Sequence, residues 1–364
     1  MTELKRTGLY DAHVAAGGKI VPFAGFELPV QYQSITAEHD AVRTSAGMFD
    51  VSHMGEVFLW GPDALANVQK LVTQNLEKIK PNRAVYAGML YTTGTFVDDV
   101  LVYRMAEDEF MLVVNAANLA KDYTWIKNSV FGDCQCENRS DAITQIAIQG
   151  PASQDILQKL TDLDLSKLRY YRFRQDRVLG IDAIVSRTGY TGELGFELYF
   201  DKEHSMKVWN ALLVAGREFD VKPAGLGCRD TLRLEAGMAL YGNDIDDEHT
   251  PLEAGLSWIV KMEKEDFNGK TALQKQLDDG LKRHLVGFEL VEKGVPRHGY
   301  HVFSGDRNIG IVTSGTMSIT LKKPIGMAYV DTGFETPDTP VEIEIRNRRM
   351  KAKVVPLPFY SNTR

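Results

Sequence analysis

Two adjacent carboxylates stand inside an apolar run, Phe96-Val97-Asp98-Asp99-Val100-Leu101-Val102-Tyr103. Burying an unpaired charge there costs several kcal/mol. The run is rich in β-branched and aromatic residues and is entered through Thr93-Gly94, which predicts a strand after a turn. Alternation puts Val97, Asp99, Leu101 and Tyr103 on one face and Phe96, Asp98, Val100 and Val102 on the other. The two acids therefore cannot form one paired-acid site. Either acid can face a cavity while the other makes a structural contact, and alternation does not choose. The ordinary alternative is that both cap turns or meet arginines at a strand mouth.

Three further residues have the chemistry for a site. In Leu194–Phe200, Phe196, Leu198 and Phe200 share one face, and Glu197 and Tyr199 the other. A glutamate beside an aromatic-lined cavity can accept two parallel hydrogen bonds from an amino-amide edge such as a pterin's. Its plain alternative is a solvated strand face. Arg229 follows the tight turn Gly225-Leu226-Gly227, where a guanidinium can be aimed at a ligand carboxylate. Asp230 and Arg233 read as ordinary helix charges. His53, in Ser52-His53-Met54, reads as a hydrogen-bonded structural histidine, because adjacency in sequence does not make a nucleophile–base pair.

Other patterns fall away. Gly17-Gly18-Lys19 lacks the earlier glycine and the hydroxyl residue of a phosphate loop, and Gly225-Leu226-Gly227 lacks the third glycine of a dinucleotide fingerprint. No flavin or nicotinamide site is visible. Cys134-Gln135-Cys136 has the wrong spacing for a zinc knuckle, and no partner pair follows, so no structural metal is expected. Three cysteines, an odd number, predict reduced thiols in a cytoplasmic protein rather than a disulfide framework.

These residues need a scaffold of strands and short helices. Strands are expected at Lys19–Phe23, Val57–Trp60, Phe110–Val114, Gln145–Gln149 and Ala183–Ser186, and helices at Ile35–Thr44 and around Val208–Leu213. The helix after Gly61-Pro62-Asp63 should bury Leu65, Val68 and Val72, and Leu119, Tyr123, Ile126 and Val130 mark another amphipathic helix. Pro223 to Gly227 leads into a further helix, expected from about Asp230 through Leu240, with Arg229 just ahead of it. A strand, a Gly-Pro break and a helix occur at Trp60-Gly61-Pro62 and again at Gln149-Gly150-Pro151, which suggests two related α+β subdomains. From Leu285 on, six short strands separated by turns predict a small sandwich or barrel, with a boundary in the polar segment 263–282.

The 364 residues suffice for two or three domains, and a net charge of −7 argues against a general nucleic-acid binder. No apolar run approaches the roughly 20 residues of a membrane helix, and Met1–Arg6 lacks the apolar core of a secretory signal.

Several long motifs, in order and nearly end to end, carry a family resemblance: Gly47 through Glu56, Val97-Asp98-Asp99, Val114-Asn115-Ala116-Ala117-Asn118, Gln149-Gly150-Pro151, Ser186 through Glu193, and Gly225 through Glu235. The chain resembles the aminomethyltransferases of the glycine cleavage system, the T-proteins. The resemblance implies an α+β fold, a three-domain cloverleaf around a central folate funnel. Residues 1–275 would hold two interleaved α+β folate-binding domains and residues 283–364 a C-terminal β-barrel-like domain. It implies that the aminomethyl group on lipoylated H-protein gives its one-carbon unit to tetrahydrofolate, releasing ammonia and forming 5,10-methylenetetrahydrofolate. P-protein and L-protein would serve the same system, and the family default is a monomer, with no nucleic-acid or membrane partner.

By position, Asp99 matches the family's critical aspartate near the reacting folate nitrogens, and Glu197 the pterin-edge acceptor. Tyr86, Tyr103 and Tyr190 match funnel contacts, Arg229 a substrate-site arginine, and Tyr360 a funnel-wall tyrosine, with Met54 and Asn115 lining the pocket. Asp99 would serve by proton transfer to or from nitrogen, or by stabilising the developing iminium charge; the sequence does not separate these. Gly94-Thr95 departs from the family's usual Gly-Gly, Thr316–Thr320 from a common Ser-Pro-Thr, and Ser361 from a basic residue. Two rival classes share the fold. A folate domain of dimethylglycine or sarcosine oxidation normally accompanies a flavin domain, and a non-catalytic folate-binding protein of iron–sulfur assembly carries a distinctive cysteine motif.

Overall fold

A computed structural model describes residues 4–362. Contacts divide the chain into two compact units. The first runs to Leu71 and includes Asn75–Tyr86 and Val100–Asp230; the second takes Val72–Gln74, Ala87–Asp99 and the chain from Thr231.

The first unit holds a six-stranded sheet in the order Phe173–Val178, Ile181–Ser186, Gly195–Asp201, Ile143–Gln149, Gly47–Asp50 and Lys222–Pro223. All neighbours are antiparallel except the last pair, which is parallel. A five-stranded sheet follows the order Arg83–Leu90, Phe96–Arg104, Glu109–Val114, Gly55–Trp60 and Gln135–Asn138. Residues 87–99, which join its first two strands, are assigned to the second unit.

The predicted alternation at Leu194–Phe200 holds. Phe196, Leu198 and Phe200 enter an apolar core with Val208, Trp209 and Leu212 of the helix Ser205–Ala215. The opposite face joins a second layer, in which Tyr199 and Phe173 of one sheet meet Tyr103, Phe58 and Val113 of the other. The Tyr103 and Phe173 rings lie 5.1 Å apart.

The two Gly-Pro breaks are the same turn. Gly61 and Gly150 have φ of +118° and +126°, a region L side chains rarely adopt. Ala64 N–H donates to Gly61 and Ser153 N–H to Gly150, and each turn opens a helix, Ala64–Leu71 or Ser153–Gln158. The two strand–turn–helix units lie on different sheets.

In the second unit, six antiparallel strands from Arg283 to Val355 close into a barrel around Phe288, Val312, Val330, Ile343 and Val354. Every strand predicted there is present, with bounds shifted by a few residues.

Four local expectations need correction. The Arg229 helix spans Leu226–Glu235 rather than starting near Asp230, and it stops before Gly237, whose φ of +64° is a left-handed terminating conformation. The first Gly-Pro helix turns Ala64, Val68 and Leu71 inward, leaving Leu65 half-buried and Val72 beyond its end. The polar segment 263–282 contains a helix, Lys270–Asp279, which buries only Leu273 and so lacks an apolar stripe. Strands Phe26–Gln31, Arg83–Leu90 and Phe173–Val178 were not anticipated, the last because only its two end residues are buried.

Candidate active site

Glu197 is 4% exposed, which removes the solvated-face reading. Its Oε2 accepts from Thr188 Oγ1 at 2.5 Å and its Oε1 from Gln145 Nε2 at 3.3 Å. Burial weakens the acid, while Thr188, Arg229 and Gln145 hold it toward ionisation; burial wins, and the Glu197 pKa lies above the usual glutamate range. Register explains the Gln145 contact, since Tyr199 pairs with Gln145 and Glu197 with Ala147 on the next strand.

Behind Glu197 lies a hydroxyl network. Tyr103 OH sits 3.1 Å from Ser186 Oγ, 3.2 Å from Thr188 Oγ1 and 3.1 Å from Tyr199 OH, and Gln145 Nε2 donates to Tyr199 OH at 3.1 Å. Tyr103 is fully buried. It therefore belongs to the network behind Glu197 in this structure.

The loop Arg187–Glu193 is stapled from two sides. Gln149 Nε2 donates to Thr188 O at 3.1 Å, and Gln149 Oε1 accepts from Thr191 Oγ1 at 2.9 Å. A side chain at Gly189 would put its Cβ 2.0 Å from Gln149 Oε1, so that glycine is what lets the loop close. Arg43 Nη1 donates to Thr191 O at 2.7 Å and Glu193 Oε1 at 3.1 Å. The motifs Gln149-Gly150-Pro151 and Ser186 through Glu193 are thus one device that presents Thr188 to Glu197.

Arg229 is half-buried, with its guanidinium carbon 4.7 Å from the centre of the Tyr190 ring. Burial lowers the Arg229 pKa, and the Glu197 carboxylate opposes that shift. The turn ahead of it is tight because Gly225 N–H donates to Glu38 Oε2 at 2.9 Å, and a Cβ there would lie 2.5 Å from the Val30 carbonyl. Glu38, 1% exposed, also accepts from the Tyr32 and Gln33 N–H groups. His53 is 3% exposed, edge-on to the rings of Phe23 and Phe26. Its Nδ1 is buried without a hydrogen-bond partner. Burial, then the Arg229 charge, lowers its pKa to about 4, so the ring is neutral near pH 7. Met54 and Asn115 are half-buried in this same unit, as is Tyr86.

Asp98 and Asp99 differ as their alternation requires: Asp98 is 0% exposed and Asp99 half-buried. The turn ahead of them closes with Gly94 N–H donating to Tyr91 O and Tyr91 N–H to Thr95 O. Gly94 itself has φ of +86°. Arg233 is not an ordinary helix charge. It is 2% exposed, paired with Asp244 at 2.6 Å and donating to Ser314 Oγ at 2.8 Å. Glu235 accepts from Ser318 Oγ and Thr320 Oγ1, each at 2.6 Å, and its carbonyl accepts from Tyr360 N–H at 2.8 Å. Ser318 and Thr320 thus hold the Glu235 side chain while its backbone receives Tyr360, which is half-buried.

Sequence reasoning missed Thr188, Gln145, Tyr199 and Gln149 as site residues. Tyr199 carried a signal in its place on the Glu197 face, and Gln149 and Thr188 stood inside motifs of the resemblance, whereas Gln145 carried none. Among the described residues, no group of three or more His, Cys, Asp or Glu is placed to hold a metal ion, and no helix is long and apolar enough to cross a membrane. Cys134, Cys136 and Cys228 form no disulfide.

The comparisons with known proteins point one way. Residues 9–264 match the GCVT N-terminal domain, and residues 283–361 the glycine cleavage T-protein C-terminal barrel domain. The chain is 50% identical to the aminomethyltransferase of Bacillus mycoides (strain KBAB4) over 366 aligned residues, covering 100% of both chains. It is 50% identical to that of Geobacillus sp. (strain WCH70), covering 99% of this chain and 100% of the relative. The crystal structure of glycine cleavage system aminomethyltransferase T from Bartonella henselae superposes with a TM-score of 0.92 at 33% identity, over 98% of each chain. With both family domains present and half of all positions shared along the full length, the chain belongs to the aminomethyltransferases of the glycine cleavage system, the T-protein family.

Proposed function

We propose that the co-substrates are lipoylated H-protein and tetrahydrofolate. The aminomethyl carbon on the lipoyl arm loses its bonds to nitrogen and sulfur and gains bonds to N5 and N10 of the folate. The two hydrogens displaced from those nitrogens end on the sulfur and on the departing ammonia, leaving dihydrolipoyl H-protein and 5,10-methylenetetrahydrofolate. In this reading the protein mostly positions, converting a bimolecular encounter into a reaction within one complex.

The observation that carries the reading is Glu197: a carboxylate 4% exposed, oriented by Thr188 and Gln145, in the electrostatic field of Arg229. Each carboxylate oxygen has a second lone pair. Together they offer the two parallel acceptor sites that an amino-amide edge requires. Arg229, Tyr190, Tyr86, Met54 and Asn115 complete the folate contacts, Tyr103 supports Glu197 from behind, and Tyr360 contributes from the C-terminal barrel. Asp99, the accessible acid of its pair, serves the reacting nitrogens. Residues 1–275 form the folate-binding domains and residues 283–364 the barrel domain, in a cytoplasmic monomer that works beside P-protein and L-protein. The test mixes the purified chain with aminomethylated H-protein and tetrahydrofolate and follows ammonia. Ammonia release that requires the folate, and that falls sharply in Asp99→Asn with folate affinity nearly kept, is the expected result. Release independent of folate overturns the reading.

A further inference from the structure

One acid in the first unit has no role so far. Glu56, on the strand Gly55–Trp60, is 1% exposed, and neither of its carboxylate oxygens has a hydrogen-bond partner. Its backbone is pinned, since Glu56 N–H donates to Ser140 Oγ at 2.9 Å and Glu56 O accepts from Arg139 N–H at 3.0 Å. The side chain shares its strand face with Phe58, which packs in the apolar layer with Val113, Tyr103 and Tyr199. The carboxyl therefore points into the layer between the two sheets.

An ionised carboxylate in that layer with no donor is among the costliest arrangements a fold can hold. Burial alone pushes the Glu56 pKa well above the ordinary range. Tyr199 feels the charges of Glu197, Tyr103 and Glu56 alike, which sets Glu56 beside the hydroxyl network. The nearby cation is turned away: the Arg139 guanidinium lies on the Phe58 and Trp60 rings and pairs with Glu137.

A second buried atom in this network lacks a partner. Gln145 Oε1 accepts nothing, although Gln145 is 2% exposed and its Nε2 serves both Glu197 and Tyr199. The network thus has unfilled acceptors on Glu56 and Gln145 and is short of a donor. We propose that Glu56 stands as a neutral carboxylic acid and is a positioning residue for the folate site: its hydroxyl supplies, directly or through one buried water, the donor that Gln145 Oε1 lacks. That bond fixes the amide with its NH2 toward Glu197. A flipped amide would set oxygen against the Glu197 carboxylate and lose both donated bonds. Glu56 therefore acts on the ligand through Gln145 and Glu197.

This inference rests on the folate reading of Glu197, so its test separates the two. Infrared difference spectra of the ligand-free full chain, wild type minus Glu56→Gln, at about pH 8, should show a protonated-carboxyl C=O band. Tetrahydrofolate titrations should give Glu56→Gln, whose amide still donates, a Kd within about twofold of wild type. Glu56→Met, which cannot donate, should raise Kd about tenfold, the order expected for one hydrogen bond. Absence of the band, or equal Kd values for the Gln and Met variants in the presence of folate binding, overturns the proposal. A wild type that shows the band and binds no tetrahydrofolate overturns the folate reading instead, and with it the positioning role. The Gln variant keeps the volume and shape of the side chain, so the spectrum decides even where the Met variant fails to fold.

Discussion

Thr188→Val removes one hydroxyl and almost no volume, and it strikes the shortest bond to Glu197. The Thr188 Oγ1 lies 2.5 Å from Glu197 Oε2 and also 3.0 Å from Ser186 Oγ and 3.2 Å from Tyr103 OH. It has a single proton, for which Glu197 and Ser186 are both placed as acceptors, and the carboxylate is the stronger of the two, so Glu197 takes it. A buried hydrogen bond to a charged group contributes about 1.5–3 kcal/mol. Valine should therefore cost about 2 kcal/mol of unfolding free energy, or about a thirtyfold change in the folding equilibrium. The loss should also depend on pH. The Glu197 pKa is raised in the folded protein, so the native state holds this proton at pH values where the unfolded chain has released it. Stability from this group is thus fullest at low pH and declines as pH rises through its folded pKa. Removing the donor that most favours the anion raises that pKa further, so valine should cost more at about pH 8 than at about pH 5. Urea denaturation of wild type, Thr188→Val and Thr188→Ser at both pH values measures this, with serine recovering most of the loss. A valine loss below about 0.5 kcal/mol, or one equal at both pH values, would refute the assignment.

Two more perturbations address the surroundings. His53, with a folded pKa of about 4 against 6.5 unfolded, should contribute stability that is complete above about pH 6.5 and lost as pH falls toward 4, about 3 kcal/mol in all. Denaturation between those pH values should show a slope that His53→Gln flattens; equal slopes would remove His53 as the cause. Asp244→Ala leaves Arg233 buried without its carboxylate and should cost about 3–5 kcal/mol, whereas replacing both partners by apolar residues should cost much less. Equal losses for the single and double replacements would show that the pair is not the source.

What the chain reveals without coordinates follows from how local each signal is. Alternation alone separated Asp98 from Asp99 and put Glu197 with Tyr199, and the six barrel strands announced themselves through turn spacing. Alternation could not say that the Glu197 face is buried, because the cover is another sheet: Tyr103 and Phe58 arrive from segments roughly a hundred residues away in sequence. For the same reason nothing local marks Thr188 as a partner of Glu197: it is Gln149, 39 residues earlier in sequence, that ties its loop to the sheet. Arg233 read as solvated because its partners, Asp244 and Ser314, come from beyond its helix. The helix Lys270–Asp279 was invisible for the opposite reason, having almost nothing to bury.

The central claim is that Glu197 receives the amino-amide edge of a pterin. The most direct measurement is a two-by-two comparison of Kd values: wild type and Glu197→Gln, each with tetrahydrofolate and with an analogue whose pterin 2-amino group is replaced by methyl. If the carboxylate and the amino group meet, the analogue should bind wild type at least tenfold more weakly, a bond to a charged acceptor being at stake. Glu197→Gln should lose a comparable factor with tetrahydrofolate and little more with the analogue. Losses that simply multiply, as for two independent sites, would contradict the account.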